Sequence, residues 1–277
     1  MKLHHRILEK IFKFSNYRFH KMPSFRILNV HDILEKDFDN LEKIIINLKK
    51  NWQFIKPSEL SIANKINQNC ILLTFDDGYK SQKYFADKVL KKHSIKAIFF
   101  VITNFVKCNS KYEAKKFVLK SVDKNLDVNS IRFSEINNMN FEDLKELIFN
   151  NHLIGSHTVN HKKLTEIKDL KDLTFEIQNS KNQLESALNT KIDNFAWTYG
   201  DINSINKNIY KLIKKNYQNI FSGIRGDNFK KDETSVYFRD ELSPFYSEDL
   251  VKAFLNGYSD FYYYQSRKKL LNFDKDV

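Results

Sequence analysis

A chain of 277 residues, 42% hydrophobic and 14% aromatic, can close one large domain or two small ones around a sizeable core, which excludes a disordered or fibrous protein. The 46 Lys and Arg against 34 Asp and Glu give a formal charge of +12, but the cations are spread along the chain rather than clustered with aromatics, so no nucleic acid is expected as a partner. The two cysteines, Cys70 and Cys108, stand far apart in no CxxC or Cys/His pattern, which excludes a disulfide scaffold or zinc finger and leaves them as reduced thiols.

Residues 1–22 alternate charged and apolar side chains and offer no unbroken apolar core with a cleavage site, so export by a signal peptide is not expected. No later stretch approaches the roughly 18 apolar residues of a membrane span, and the expectation is a cytoplasmic protein. Ile7, Ile11 and Phe14, with Leu8 and Phe12 beside them, share a surface with Arg6, Lys10, Lys13 and Arg18. This segment reads either as a basic amphipathic helix making peripheral contact with the inner membrane face through residues 1–21, or as a terminal helix packed on its own domain.

From there one domain, 23–277, is expected. Ile27–Val30 reads as a buried strand, Leu41 to Leu48 as an amphipathic helix ending near Asn51, and Cys70–Phe75 as an apolar strand stopped by Asp76, Asp77 and Gly78. A helix carrying Tyr84, Phe85, Val89 and Leu90 follows, then a strand over Lys96–Ile102. Residues 103–140 are polar and weakly patterned and read as an insertion or long loop. The alternation resumes with a helix over Phe141–Phe149, a strand at Leu153–Gly155, a long helix from Leu170 to Leu188 and a strand at Asn194–Trp197. Next come a helix over Ser204–Lys215 capped by Ser204, strands at Asn219–Ser222 and Val236–Arg239, and a helix at Glu248–Leu255 behind Ser247. Six to eight such units in a parallel arrangement approach the size of a β/α barrel.

Two segments carry chemistry. Thr74-Phe75-Asp76-Asp77-Gly78-Tyr79 puts adjacent carboxylates at the C-terminal end of a strand, where parallel-sheet enzymes build their sites, although DDG is also ordinary helix-capping and turn chemistry. Gly155-Ser156-His157-Thr158-Val159-Asn160-His161 follows another strand, and its four-residue spacing is expected to set both imidazoles on one side of a helical turn, able to chelate a metal. An aspartate completes a two-His, one-carboxylate set with open coordination positions.

TFDDGY followed by HTVNH resembles the first two motifs of the polysaccharide deacetylases, carbohydrate esterase family 4, and Phe195 to Asp201 (FAWTYGD) resembles the FAYPYG stretch of one branch. The resemblance, running from about Ile27 to Leu255, implies a deformed β/α barrel that removes N-acetyl groups from amino sugars with a divalent metal, zinc first with nickel or cobalt as alternatives. It implies Asp77, His157 and His161 as ligands, Asp76 as general base, and the Tyr199 backbone N–H as a donor to the oxyanion. The Tyr199 ring and Trp197 would wall the sugar, or be core aromatics.

The chain departs from the pattern in two places. Thr198 stands where the family has proline, and no histidine follows His161 to serve as the late acid. Ile27 to Asp32 resembles the YHDI-like start of the poly-N-acetylglucosamine deacetylase branch, whose barrel is circularly permuted, and this makes His31 the expected acid, oriented by Asp32. Arg239 resembles that branch's late arginine, steadying Asp76 or binding a substrate acid group; its plainer reading is a surface ion pair with Asp240 or Glu241. The substrate expected is an amino sugar in a glycan or in a lipid-linked or nucleotide-linked precursor. Removal of formyl, or a non-catalytic carbohydrate-binding member, is the alternative.

Overall fold

The computed structural model describes residues 3–14, 23–229 and 235–275. Nine strands run in order: β1 (Phe25–Val30), β2 (Gln53–Phe54), β3 (Cys70–Phe75), β4 (Ala97–Val101), β5 (Leu153–Ser156), β6 (Asn194–Ala196), β7 (Asn219–Phe221), β8 (Val236–Tyr237) and β9 (Asp240–Glu241). The sheet order is β8-β7-β6-β5-β4-β3-β1-β9, every ladder is parallel, and β2 adds to β3. Because β8 pairs with β7 and β9 with β1, the short segment 236–241 joins the two ends of the sheet and curls it into a deformed β/α barrel.

The period-two alternation of a strand decides which side chains enter that barrel. Phe25 and Ile27 of β1, Cys70 and Leu72 of β3, and Ile98 and Phe100 of β4 fill the interior, whereas Leu28, Ile71, Leu73 and Phe99 pack outward under the helices. Extended by two residues, the inward rows of β1 and β3 reach Asn29 and His31, and Thr74 and Asp76. β1 pairs with β3 in register from Phe25↔Cys70 to Val30↔Phe75, so His31 and Asp76 emerge side by side at the C-terminal mouth. The permuted reading requires this strand to lie inside the barrel, and it does.

Several sequence expectations need correction. Residues 103–140 are not a loop: helices form over Thr103–Val106, Lys111–Phe117 and Ile131–Glu135, the latter two capped by Ser110 and Ser130. They close a small core of Tyr79, Ile102, Phe105, Ala114, Val118 and Ile136 beside the barrel mouth. The helix expected from Ser204 begins at Lys207 behind Asn206, because Ser204 instead bonds Trp197 and Asp201. A C-terminal helix forms over Tyr264–Lys275, where the sequence carries only a weak apolar period. At the other end, the Leu3–Phe14 helix packs Leu8 on Leu250 and Phe254, and Phe12 against Tyr258. Ile7 and Ile11 stay exposed beside Arg6 and Lys10. Phe14, Lys13 and Arg18 lie outside the residues whose side chains are described. No helix among the described residues is long and apolar enough to cross a membrane. Cys70 is buried and Cys108 half-buried, and both are free thiols.

His152, at the entry to β5, is buried with its Nδ1 accepting the Ala97 N–H at 3.1 Å. Burial, with the positive charge of Lys96 second, pushes its pKa down to about 4. The unfolded chain therefore binds a proton there at a pH where the fold does not. The stability that neutral His152 contributes is complete above about pH 6.5 and is lost as pH falls toward 4, by roughly 2 kcal/mol at pH 5. Urea midpoints at pH 7 and pH 5 should converge in His152→Gln relative to wild type. An unchanged pH dependence refutes the assignment.

Candidate active site

Asp77 follows β3 with φ +80°, a left-handed conformation relieved at once by Gly78 at φ +99°, and the turn swings its carboxylate toward the loop after β5. There Asp77 Oδ1 lies 3.6 Å from His157 Nε2 and 3.6 Å from His161 Nε2. One ligand atom from each residue lies within 4.8 Å of the others, and all three residues are buried. The histidines do not share a helical turn as the spacing suggested. Thr158 (φ +67°) and His161 (φ +60°) fold the segment into a tight loop that returns the second ring to the first.

Both rings are aimed by their other nitrogen: His157 Nδ1 bonds the Ala196 carbonyl at 2.7 Å and His161 Nδ1 the Ser121 carbonyl at 3.1 Å. That leaves each Nε2 as the lone-pair atom facing Asp77. Burial outweighs the neighbouring carboxylates and holds the His157 pKa down to about 4, so its ring is neutral near pH 7. Asp77 Oδ1 is buried without a hydrogen-bond partner. Two imidazole nitrogens converging on an unpartnered buried carboxylate oxygen fit a divalent cation in kind and number.

Asp76 turns the other way. Its carboxylate is gripped by Arg239, Nη1 to Oδ1 at 2.6 Å and Nη2 to Oδ2 at 2.8 Å, and both groups are buried. Burial opposes ionisation, but Arg239, then His157 and His31, outweigh it and hold the carboxyl well below the usual range. The Arg239 Nε bonds the Ser222 carbonyl at 2.8 Å. Arg239 is thus neither a surface ion-pair residue nor free to bind substrate, because its fork is spent on Asp76. It sits in the gap between β8 and β9, whose position between β7 and β1 points the side chain across the barrel to β3.

His31 is exposed at the mouth with Nε2 3.8 Å from Asp76 Oδ2. Asp32 does not orient it: that carboxylate bonds Arg132 Nε at 3.2 Å and Ser81 Oγ at 3.3 Å. Trp197 is also corrected. Its indole is fully buried and bonds Ser204 Oγ at 3.1 Å, so it is a core residue and not a wall for sugar. Tyr199 is 53% exposed, in a left-handed turn (φ +66°) with its ring 5.4 Å from that of His161. Thr198, in the place of the proline, donates its hydroxyl to the Lys162 carbonyl at 2.6 Å and ties this turn to the histidine loop.

Glu176 escaped the sequence reading. It is buried on a π-helical turn (Phe175–Asn179) within the long helix, and its Oε2 accepts the Val159 and Asn160 N–H groups at 3.1 and 2.8 Å while Oε1 accepts the Asn160 side chain at 2.8 Å. A charged residue on the inward row of an otherwise apolar helix face was the available signal. Since this carboxylate holds the loop between the two histidines, Glu176→Gln should weaken zinc binding about tenfold while the far-UV spectrum stays native. Calorimetric titration checks this, and unchanged affinity refutes it.

Comparison with solved structures places the chain on one fold. Streptococcus pyogenes deacetylase PplD, in complex with acetate, is 19% identical with a TM-score of 0.62, covering 84% of this chain and 98% of its own. IcaB from Ammonifex degensii is 19% identical with a TM-score of 0.63 (84% and 97% covered). A de-N-acetylase from Aggregatibacter actinomycetemcomitans is 14% identical with a TM-score of 0.62 (83% and 99%). No curated protein sequence matches the chain. The polysaccharide deacetylase family model matches residues 63–218, more than half of the sequence, from before β3 to the strand β7. With the barrel and the Asp77, His157 and His161 cluster at its mouth, the chain belongs to the polysaccharide deacetylase family.

Proposed function

We propose that the protein is a metal-dependent hydrolase that removes N-acetyl groups from an amino sugar of a glycan or of a lipid-linked or nucleotide-linked precursor. The observation that carries this reading is the pairing of a converging Asp77, His157 and His161 set with a second, separately held carboxylate on Asp76. A binding protein has no use for an ionised buried base beside an open metal position. Zinc is the metal the donor set suits first, with nickel or cobalt as substitutes. When bound, the cation supplies Lewis-acid polarisation of the acetyl carbonyl and acidifies a water.

The chain's own groups do the rest. Asp76, kept ionised and immobile by Arg239, accepts the proton of the attacking water. Among the described residues the Tyr199 N–H has no protein acceptor, and it donates to the carbonyl oxygen as negative charge develops there. His31, at the open edge of the mouth, protonates the departing amine. The deacetylase works on the cytoplasmic side, and the exposed Ile7 and Ile11 beside Arg6 and Lys10 support peripheral contact with the inner membrane face.

The test is acetate release and free-amine formation from N-acetylglucosamine oligomers, measured before chelation, after chelation and after zinc is restored. Zinc-dependent release is expected. Equal or faster turnover of the N-formyl oligomers would favour the deformylase, and tight binding of oligomers with no release of either acid would favour the non-catalytic member.

A further inference from the structure

A cleft of about 760 Å³ opens beside the metal cluster, with His161 and Tyr199 in its wall. Its volume is within the range of about 300–1,000 Å³ in which small-ligand sites fall. Its lining is lysine-rich: Lys120, Lys124, Lys162, Lys163 and Lys168 all contribute. Their position follows from the site itself. Lys162 and Lys163 continue the chain directly from His161, while Lys120 and Lys124 flank Ser121, whose carbonyl aims the His161 ring.

Some of this charge is answered locally. Lys163 faces Glu166 at 3.6 Å, and Lys162 reaches Glu176 at 3.9 Å. Asp169 spends an oxygen on capping Lys171 N–H at 2.6 Å. Lys120, Lys124 and Lys168 have no carboxylate within ion-pair distance among the described residues, and the remaining lining acid is Asp172. The cleft therefore presents unpaired ammonium groups on flexible stems, which hold phosphate or carboxylate oxygens without demanding one bidentate geometry. A neutral oligosaccharide makes no use of such a wall. An anionic one is drawn to it and set in register with the metal ligands.

Resting on the deacetylase reading, we infer that the substrate is an anionic amino-sugar compound, carrying a phosphate or a uronate carboxylate on a unit next to the acetylated one, and that Lys120, Lys124 and Lys168 hold that group. Three oligosaccharides test this: a neutral N-acetylglucosamine oligomer, the same oligomer bearing a phosphomonoester, and one with a uronate neighbour. Kinetics use wild type, and calorimetric binding uses Asp76→Asn, so that affinity is read even if no oligomer turns over.

At about 50 mM salt, one or both anionic oligomers should bind and react about tenfold better than the neutral one, and the advantage should shrink at 500 mM. A Lys120→Glu, Lys124→Glu, Lys168→Glu variant, altered only at exposed positions, should lose the advantage through KM while turning over the neutral oligomer normally. Which anionic oligomer gains identifies phosphate or carboxylate. Equal affinity for all three, or an advantage that survives the triple variant, overturns the inference and leaves the deacetylase reading intact. Absent turnover with a preserved, lysine-dependent affinity difference overturns the deacetylase reading instead.

Discussion

Replacing Asp76 with asparagine should lower deacetylation about 10²–10⁴-fold while zinc content stays unchanged. The amide copies the carboxylate's shape, but it cannot take a proton and offers one acceptor where Arg239 now finds two, at 2.6 and 2.8 Å. The substitution also leaves a buried guanidinium half-answered, so thermal unfolding should shift down with the rate, since breaking one side of a buried pair costs about 3–5 kcal/mol. Stability and rate are separable through Arg239→Lys, which keeps the positive charge and gives up the fork. If Asp76 acts chemically, Arg239→Lys should destabilise similarly yet keep far more activity than Asp76→Asn. Near-normal turnover by Asp76→Asn would reduce Asp76 to a structural partner of Arg239.

The contrast between Asp76 and its neighbour explains how much of this site can be read without coordinates. The strands that deliver it are apolar runs with clear ends, and Cys70–Phe75 is observed as expected, as is the Phe141–Phe149 helix. Once β1 and β3 are strands, alternation alone turns His31 and Asp76 inward. Pairing is a different matter, because nothing local in Phe25–Val30 says that it will lie against a strand 45 residues later. Here the resemblance to a permuted branch supplied what periodicity could not.

The failures have physical causes too. The His157–His161 loop depends on two left-handed residues and on Glu176, which arrives from another element, so the four-residue spacing does not make a helical turn here. Trp197, which the sequence leaves open between a sugar wall and a core aromatic, is buried with its indole N–H donated to the Asp201 carbonyl and the Ser204 hydroxyl of the turn that follows it. Asp32 neighbours His31 in sequence, yet strand alternation turns the two side chains apart and sends Asp32 to Arg132. Arg239 shows the same in reverse: a charged residue in a polar run, RDE, becomes one of the most deeply buried side chains because the broken strand aims it across the barrel.

His157→Ala should remove metal and activity together. His157 is a buried candidate ligand whose ring is aimed by the Ala196 carbonyl at Nδ1, which turns its Nε2 toward Asp77 Oδ1 at 3.6 Å. Taking it away leaves Asp77 and His161 as two ligands on one side of an open mouth, a set that cannot enclose a divalent ion. Without the cation Asp77 Oδ1 stays buried and unpartnered, so the variant should bind neither metal nor substrate in register. Zinc measured by mass spectrometry after exhaustive dialysis should fall below about a tenth of the wild-type content, and acetate release should fall about as far as for the chelated wild type. His157→Gln should not restore either, because the amide presents a weak oxygen ligand rather than an imidazole nitrogen. The hydrogen bonds of Glu176 to Val159 and Asn160 do not involve the ring, so the loop should hold its shape and the circular dichroism spectrum should remain native. Full zinc content in His157→Ala would move the metal away from this cluster, and with it the assignment of Asp77 and His161.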